Sequence, residues 1–240
     1  MAKPITLLLL KLFLLCFLPR SNAVYDVLNF GAKADGKTDS AQPFLRAWTA
    51  ACHSSSPATL YVPAGSFLLS QASFDGPCKN AIKFSIDGTI AAPSNYEKLG
   101  SSEKWIEFKD VEGVTISGGK LDGRGADLWT CKHDGRSCPS GATSLTFSNS
   151  KNIVIDGLMS INSELYHIVI LGCQGVRIRG VNIEAPGNSP NTDGIHVQMS
   201  TGVSIVQAII KTGDDCVSIG PGTSNLWIER VFCGPGHGIR

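Results

Sequence analysis

A short alternating triplet of apolar residues returns along this chain at nearly even intervals. It reads Val114-Thr115-Ile116, Ile153-Val154-Ile155, Val176-Arg177-Ile178, Val203-Ser204-Ile205 and Leu226-Trp227-Ile228, and the last four are spaced 23, 27 and 23 residues apart. A second series runs behind it: Ile168-Val169-Ile170, Ile195-His196-Val197 and Val217-Ser218-Ile219. Alternation marks short strands with one buried face. Two or more such strands per unit of ~20–30 residues is the pattern of a solenoid, in which each coil buries its apolar face against the next. A sandwich also has short strands between turns, but it does not hold an aligned repeat. The expected architecture is an all-β parallel β-helix.

The N-terminal part differs. Tyr25 to Phe30 alternates like a short strand, and Gly31 to Lys37 reads as a turn-rich loop. Asp39 or Ser40 can cap a helix through Phe44, Leu45, Ala47, Trp48 and Ala51, with Pro43 in its first turn and a break at Ser54-Ser55-Ser56. This helix is expected to cover the open end of the solenoid. Leu60-Tyr61-Val62 and Phe67-Leu68-Leu69 then flank a turn at Pro63-Ala64-Gly65. From about residue 81 no helix signal is expected.

Residues 1–23 read as a secretory signal peptide: Lys3, apolar runs Leu7–Leu10 and Leu12–Leu18, then Ser21-Asn22-Ala23 before the cut. A membrane anchor would need ~20 apolar residues, and Lys11 interrupts a shorter run. The formal net charge is +1, and without residues 1–23 the balance becomes 18 basic against 20 acidic residues. No basic excess points to nucleic acid or acidic lipid. The expectation is a secreted protein close to neutral, with residues 24–240 forming one domain. No Asn-x-Ser/Thr glycosylation site occurs. In an oxidising compartment Cys52, Cys78, Cys131, Cys138, Cys173, Cys216 and Cys233 should mostly pair. Cys131 with Cys138 and Cys216 with Cys233 are near enough for small loops. Zinc on Cys131, His133 and Cys138 lacks a fourth nearby ligand and ranks behind a disulfide. One thiol of the seven is left over.

The repeat also aligns chemistry. Asp193 precedes Ile195-His196-Val197, Asp215 follows 22 residues later, and His237 another 22 later. One residue per coil at a shared position makes a column with neighbours ~4.8 Å apart. Asp214 adds a third carboxylate. Repulsion within such a group should raise at least one carboxyl pKa and favour a protonated imidazole. An acid with a raised pKa beside an ionised base is equipped to split a glycosidic bond. Singly, Asn191-Thr192-Asp193-Gly194 and Asp214-Asp215 read better as turns; in register together they read better as a site. His196 and His167 read as ladder or surface positions.

These residues carry a resemblance. Asn191-Thr192-Asp193-Gly194, Gly213-Asp214-Asp215 and Gly236-His237-Gly238 resemble the successive motifs of polygalacturonases, the pectin-cleaving glycoside hydrolases of family 28. Asp215-Cys216-Val217-Ser218-Ile219-Gly220, Cys233 to Ile239 and Asn29 to Asp39 are similar to the plant enzymes. The resemblance implies a right-handed parallel β-helix, the pectin lyase-like solenoid, and hydrolysis of α-1,4-linked galacturonic acid with inversion. It implies Asp214 as general acid, Asp193 and Asp215 as activators of water, and His237 as support for acid and substrate. Asn191 and Gly236 would contact substrate, and no cofactor or metal is implied. Carboxylates one strand apart would by distance alone suggest retention. Adjacent Asp214 and Asp215 would face opposite ways in a regular strand, so Gly213 is expected to bend the chain. A rhamnogalacturonan hydrolase fits the motifs less well.

Gly31-Ala32-Lys33-Ala34-Asp35-Gly36-Lys37-Thr38 also fits the phosphate-loop pattern. That loop belongs with alternating strands and helices, which the repeat contradicts, and Asp39 would set a negative charge beside a phosphate. It is expected to be the turn into the capping helix.

Family members continue past the Gly-His-Gly motif with further coils and a basic Arg-x-Lys motif for the substrate carboxylates. This chain reads as lacking those C-terminal coils and that cation, and its odd cysteine as lacking a downstream partner. Two readings follow: a pectin hydrolase, or a catalytically silent fragment acting at most as a pectin-binding decoy.

Overall fold

The computed structural model describes residues 23–100 and 102–240. Nearly all of the signal-peptide reading, residues 1–22, lies outside them. The chain winds through three parallel sheets in turn. A typical coil contributes Gln174–Arg179 to the first sheet, Asn182–Glu184 to the second and Ile195–Gln198 to the third. The expected repeat is the register itself: Ile116, Ile155, Ile178, Ile205 and Ile228 pair in sequence across the first sheet. Ile168, Ile195 and Val217 do the same across the third.

Alternation explains which way each strand faces. Ile155, Ile178 and Ile205 point into the coil and are fully buried, while Val154, Arg177 and Ser204 point out. Each buried isoleucine is worth roughly 1.5–3 kcal/mol against exposure. The interior of the third sheet begins as an aromatic stack. Phe74, Phe108 and Phe147 follow one another at 4.9 Å between ring centroids. Smaller Ile170 and Val197 continue the same row. At the entry to the first sheet Asn152, Gly175, Gly202 and Asn225 all take positive φ, a conformation Gly and Asn tolerate best.

Helix α1, Ala41–Cys52, stands where the first coil would otherwise supply a third-sheet strand. Its Phe44 packs on Phe67 and Phe84, and Trp48 on Phe74 and Phe108. The Trp48 indole donates to the Asp75 carbonyl, 3.0 Å. Asp39 accepts from the Ala41 amide at 3.0 Å, whereas Ser40 makes no side-chain cap. The capping helix thus begins where expected.

Several local expectations are corrected. The first strand is Ala23–Asp26, and Val27–Phe30 is a 3-10 turn. Within the loop expected over 31–37 a strand begins, Asp35–Asp39, pairing with Ser66–Leu68. There the Asp35 carboxylate accepts from the Lys37 and Thr38 amides, 2.9 and 2.8 Å. Those amides and the Thr38 hydroxyl hold its pKa down at about 2. The phosphate-like pattern therefore binds its own carboxylate.

A second helix, α2, Ala126–His133, interrupts the solenoid where no helix was expected. It is two turns long and lacks a side-chain cap, so it carries little of the signal by which helices are read. Cys131–Cys138 closes the insertion, as expected ahead of zinc. Cys216–Cys233 is formed as well, and Cys52–Cys78 ties the end of α1 to the turn beyond Asp75. Cys173 is the free thiol among the described residues, and its place corrects the idea of a lost partner. It is fully buried and donates toward the Phe147 and Leu171 carbonyls. Burial pushes its pKa up. It serves as a core residue. His167 is likewise no surface residue: it is wholly buried, with Nδ1 2.9 Å from the Ser160 hydroxyl. Burial pushes its pKa down to about 3.

Candidate active site

The third sheet sets the site. Asp193 and Asp215 each lie two residues before a strand, Ile195–Gln198 and Val217–Ile219, whose first residues pair. Val217 in turn bridges Ile239, which puts His237 at the same position one coil on. The expected column of Asp193, Asp215 and His237 is present.

Asp214 joins the column through a bend. Gly213 there approaches the preceding coil so closely that a Cβ would lie 2.1 Å from the Ser189 carbonyl oxygen. The Gly213 amide donates to Thr192 Oγ1, 3.1 Å, which pins the Asp214 loop to the Asp193 loop. Thr192 is fully buried, and its hydroxyl lies 2.6 Å from that of Ser189. The two carboxylates precede their strand rather than standing in it, so strand alternation does not separate them.

His237 is fastened to Asp214 twice. Its amide donates to the Asp214 carbonyl at 3.0 Å, and its ring Nδ1 to Asp214 Oδ1 at 3.0 Å. Oδ1 also accepts from the Asp215 amide, 2.9 Å. The ring lies 3.9 Å from Asp215 Oδ1, and Arg240 reaches that oxygen at 3.3 Å. A cation therefore sits beside the carboxylates, which the sequence reading did not foresee. Cys216–Cys233 ties the residue after Asp215 to the segment leading into His237. Donor atoms of Asp214, Asp215 and His237 lie within 4.8 Å of one another, close enough to share one cation.

The two expected substrate contacts sit differently. Asn191 is exposed on the turn before Asp193, at φ 57°. Gly236, at φ 147°, packs on the site itself: a Cβ there would lie 2.7 Å from the Asp214 carbonyl oxygen.

Charge is uneven across the group. Asp193 is 7 % exposed, and its pKa is raised by burial first, then by Asp214 and Asp215. The Ser218 hydroxyl and His196 pull it back down. Repulsion was expected to raise a carboxyl; burial contributes more. Tyr166, two residues before Ile168 as Asp193 is two before the paired Ile195, is raised by burial and then by all three carboxylates.

Sequence reasoning missed the surroundings. Beside the column runs a groove of about 410 Å³ over the outer face of the third sheet, lined by Lys104, Thr146, Tyr166, Val169, His196 and Gln198. His196 is half-buried there and stacked under Tyr166, with centroids 5.4 Å apart. The spacing could have shown this, since Tyr166 stands 27 residues before Asp193 and Ser218 22 after His196. Helix α2 also touches this region, where His133 Nε2 lies 3.0 Å from the Asn188 carbonyl in the loop leading to Asp193.

The family model described as glycosyl hydrolases family 28 matches residues 52–240. A polygalacturonase of Prunus persica is 62% identical over 221 residues, covering 91% of this chain and 56% of that protein. An exopolygalacturonase of Platanus acerifolia is 42% identical, covering 91% and 58%. The chain spans a little over half the length of these curated relatives. Two solved structures share the fold. An endo-xylogalacturonan hydrolase from Aspergillus tubingensis has a TM-score of 0.79 at 21% identity, over 91% of this chain and 60% of that one. A polygalacturonase from Erwinia carotovora has 0.75 at 22%, over 92% and 66%. With the motifs assembled on one face of a parallel β-helix, and a family model that spans most of its length, this chain belongs to the glycosyl hydrolases of family 28.

Proposed function

We propose that this chain carries the catalytic face of a polygalacturonase, cleaving α-1,4-galacturonosyl linkages of pectin with inversion. The arrangement of Asp214 supports this most. Its Oδ1 takes two N–H donors, from His237 and Asp215, which leaves Oδ2 to carry a proton toward a glycosidic oxygen. In the proposed step Asp214 gives that proton to the leaving oxygen as the glycosidic bond breaks. Water attacks the anomeric carbon from the opposite face, and its proton passes to Asp193 or Asp215. His237 orients Asp214, and Arg240 offsets the charge of Asp215. Asn191 and Gly236 are assigned to the substrate side of the same cleft.

The natural substrate is then a polyanionic cell-wall polysaccharide, and the protein a secreted monomer. Three disulfides support an oxidising compartment. Among the described residues no helix is long and apolar enough to cross a membrane. A second reading, pectin binding without cleavage, draws on the final coil, where Trp227, Phe232 and Ile239 are exposed.

Reducing-end release from polygalacturonate at mildly acidic pH, beside an Asp214→Asn control, separates the two readings. Release that the control abolishes supports hydrolysis. Retained binding without release, from a folded protein, supports the second reading.

A further inference from the structure

The groove beside the column is a continuation of it. Thr143 pairs with Lys104 and stands two residues before Leu145, which pairs with Ile168. Tyr166 stands two before Ile168, and Asp193 two before Ile195, the next in that register. Lys104, Thr143, Tyr166 and Asp193 thus succeed one another coil by coil, which sets Lys104 about 14 Å before Asp193 at ~4.8 Å per coil. A second outward row runs alongside, Glu107, Thr146, Val169 and His196, paired strand to strand. A glycan held at the aspartates and lying along the solenoid axis passes between these rows.

The groove has no free cation to offer such a glycan. Among the described residues that line it, Lys104 is the one lysine or arginine, and its Nζ lies 2.7 Å from Glu107 Oε1. The Ser148 hydroxyl donates to the same Glu107 oxygen at 2.6 Å. Burial works to raise the Glu107 pKa, but the hydrogen bonds from Lys104 and Ser148 hold it below its ordinary value. The pair therefore stays charged and closed on itself. Glu103 adds a further acid to the lining. Both ring nitrogens of His196 are engaged, Nδ1 2.8 Å from the Ser218 hydroxyl and Nε2 3.1 Å from the Gln198 side chain.

What the groove presents instead is apolar and hydroxyl surface. Leu165, Val169 and Leu171 line it with the Tyr166 ring. Thr146 also lines it, and its buried hydroxyl has no hydrogen-bond partner. A buried hydroxyl left unpaired is costly, and a sugar hydroxyl is a fitting partner for it. A free galacturonate in the groove meets Glu103 and Glu107 at one end and the aspartates at the other, with the cation between them already paired. Its methyl ester brings no charge and adds an apolar group to the aliphatic wall. We propose that the groove is a subsite selective for an uncharged sugar, a methyl-esterified galacturonate, and that the Lys104–Glu107 pair is what disfavours the free acid. This rests on the hydrolase reading given above and adds to it a preference within the pectin chain.

The test reads binding rather than turnover. The full chain carrying Asp214→Asn, so that ligand is not cleaved, is titrated calorimetrically with an oligogalacturonate and with its methyl-esterified form. At pH 7 the free acid is ionised and an ordinary histidine is largely neutral. Glu107→Gln in that background releases Lys104 and keeps an acceptor for Ser148. The free acid should then bind about tenfold more tightly while the ester stays within about threefold, and the gain should shrink at high salt. Lys104→Met leaves the Glu107–Ser148 contact in place, and should weaken the free acid further with the ester within about twofold. Thr146→Val removes the unpaired hydroxyl and keeps the shape. It should raise the melting temperature yet weaken the ester roughly three- to tenfold, whereas a merely structural threonine moves only the first.

A ratio of the two Kd values that neither Glu107→Gln nor Lys104→Met moves overturns the proposal, and the lysine variant alone decides should the glutamine variant not fold. Unchanged affinity for the ester in Thr146→Val overturns it as well. Reducing-end release by the parent without the shift in ratio leaves the hydrolase reading standing and the subsite fallen. The shift in ratio without any release does the reverse.

Discussion

His237 grips Asp214 from two sides, with its backbone amide on the carbonyl and its ring Nδ1 on Oδ1, each at 3.0 Å. The ring itself is more than half exposed, so little of the fold rests on it. It can therefore be removed with small cost to stability and a large effect on chemistry.

His237→Ala should accordingly lower kcat on polygalacturonate by about ten- to a hundredfold, as loss of one acid–base partner does. The melting temperature should stay within a few degrees. Steady-state rates and thermal melts check both. A rate within twofold of the parent would remove His237 from the machinery.

Gly213 is set by contact rather than by backbone conformation. Gly213→Ala forces a Cβ against the Ser189 backbone and should cost more than about 2 kcal/mol, with displacement of Asp214 and Asp215. Gly157→Ala is the comparison. At φ 66° with nothing within 4 Å of its Cβ, it should cost only roughly 1 kcal/mol of backbone strain and leave activity intact. Urea denaturation compares them, and equal losses would show that the close approach at Gly213 is not what selects glycine.

Glu164 should make stability fall as pH rises. It is 1 % exposed, Oε2 accepts from the Ala142 amide at 3.0 Å, and Oε1 has no partner. Burial pushes its pKa from 4.5 to about 7, against the opposing effects of Ala142 and Lys132. Between those values the folded protein holds a proton that the unfolded chain has released, so the slope of stability with pH is negative. The contribution is full below about 4.5, and up to roughly 3 kcal/mol is lost by about pH 7. Glu164→Gln keeps the acceptor without the charge. Melts from pH 4.5 to 7.5 should show that it flattens the slope and raises the midpoint at pH 7; a parent slope that survives the substitution would exclude Glu164 as its source.

Much of the frame was legible from spacing alone. Intervals of 23, 27 and 23 residues turned out to be the pairing of Ile155, Ile178, Ile205 and Ile228, because a parallel coil repeats its buried positions once per turn. The column of Asp193, Asp215 and His237 followed from the same period. Helix α2 was not legible: its eight residues carry too few periodic positions, and it is held by a disulfide and by contacts from other coils. The strand at Asp35–Asp39 was hidden for a related reason, since its polar residues pair by backbone register with Ser66–Leu68 and show no alternation.

By itself, then, the sequence determined the coil, the direction each strand faces and the row on which the acidic residues and His237 meet. These depend only on periodicity, which is a property of the chain read in order. The folded structure decided that Asp193 and Asp215 are buried while Asp214 is partly open, that Arg240 rests on Asp215, that Cys173 and His167 lie inside, and that Ser218 meets the ring of His196. Each of those depends on which side chains from separate coils come within a few ångströms, and on how much water they exclude. No interval along the chain encodes that distance.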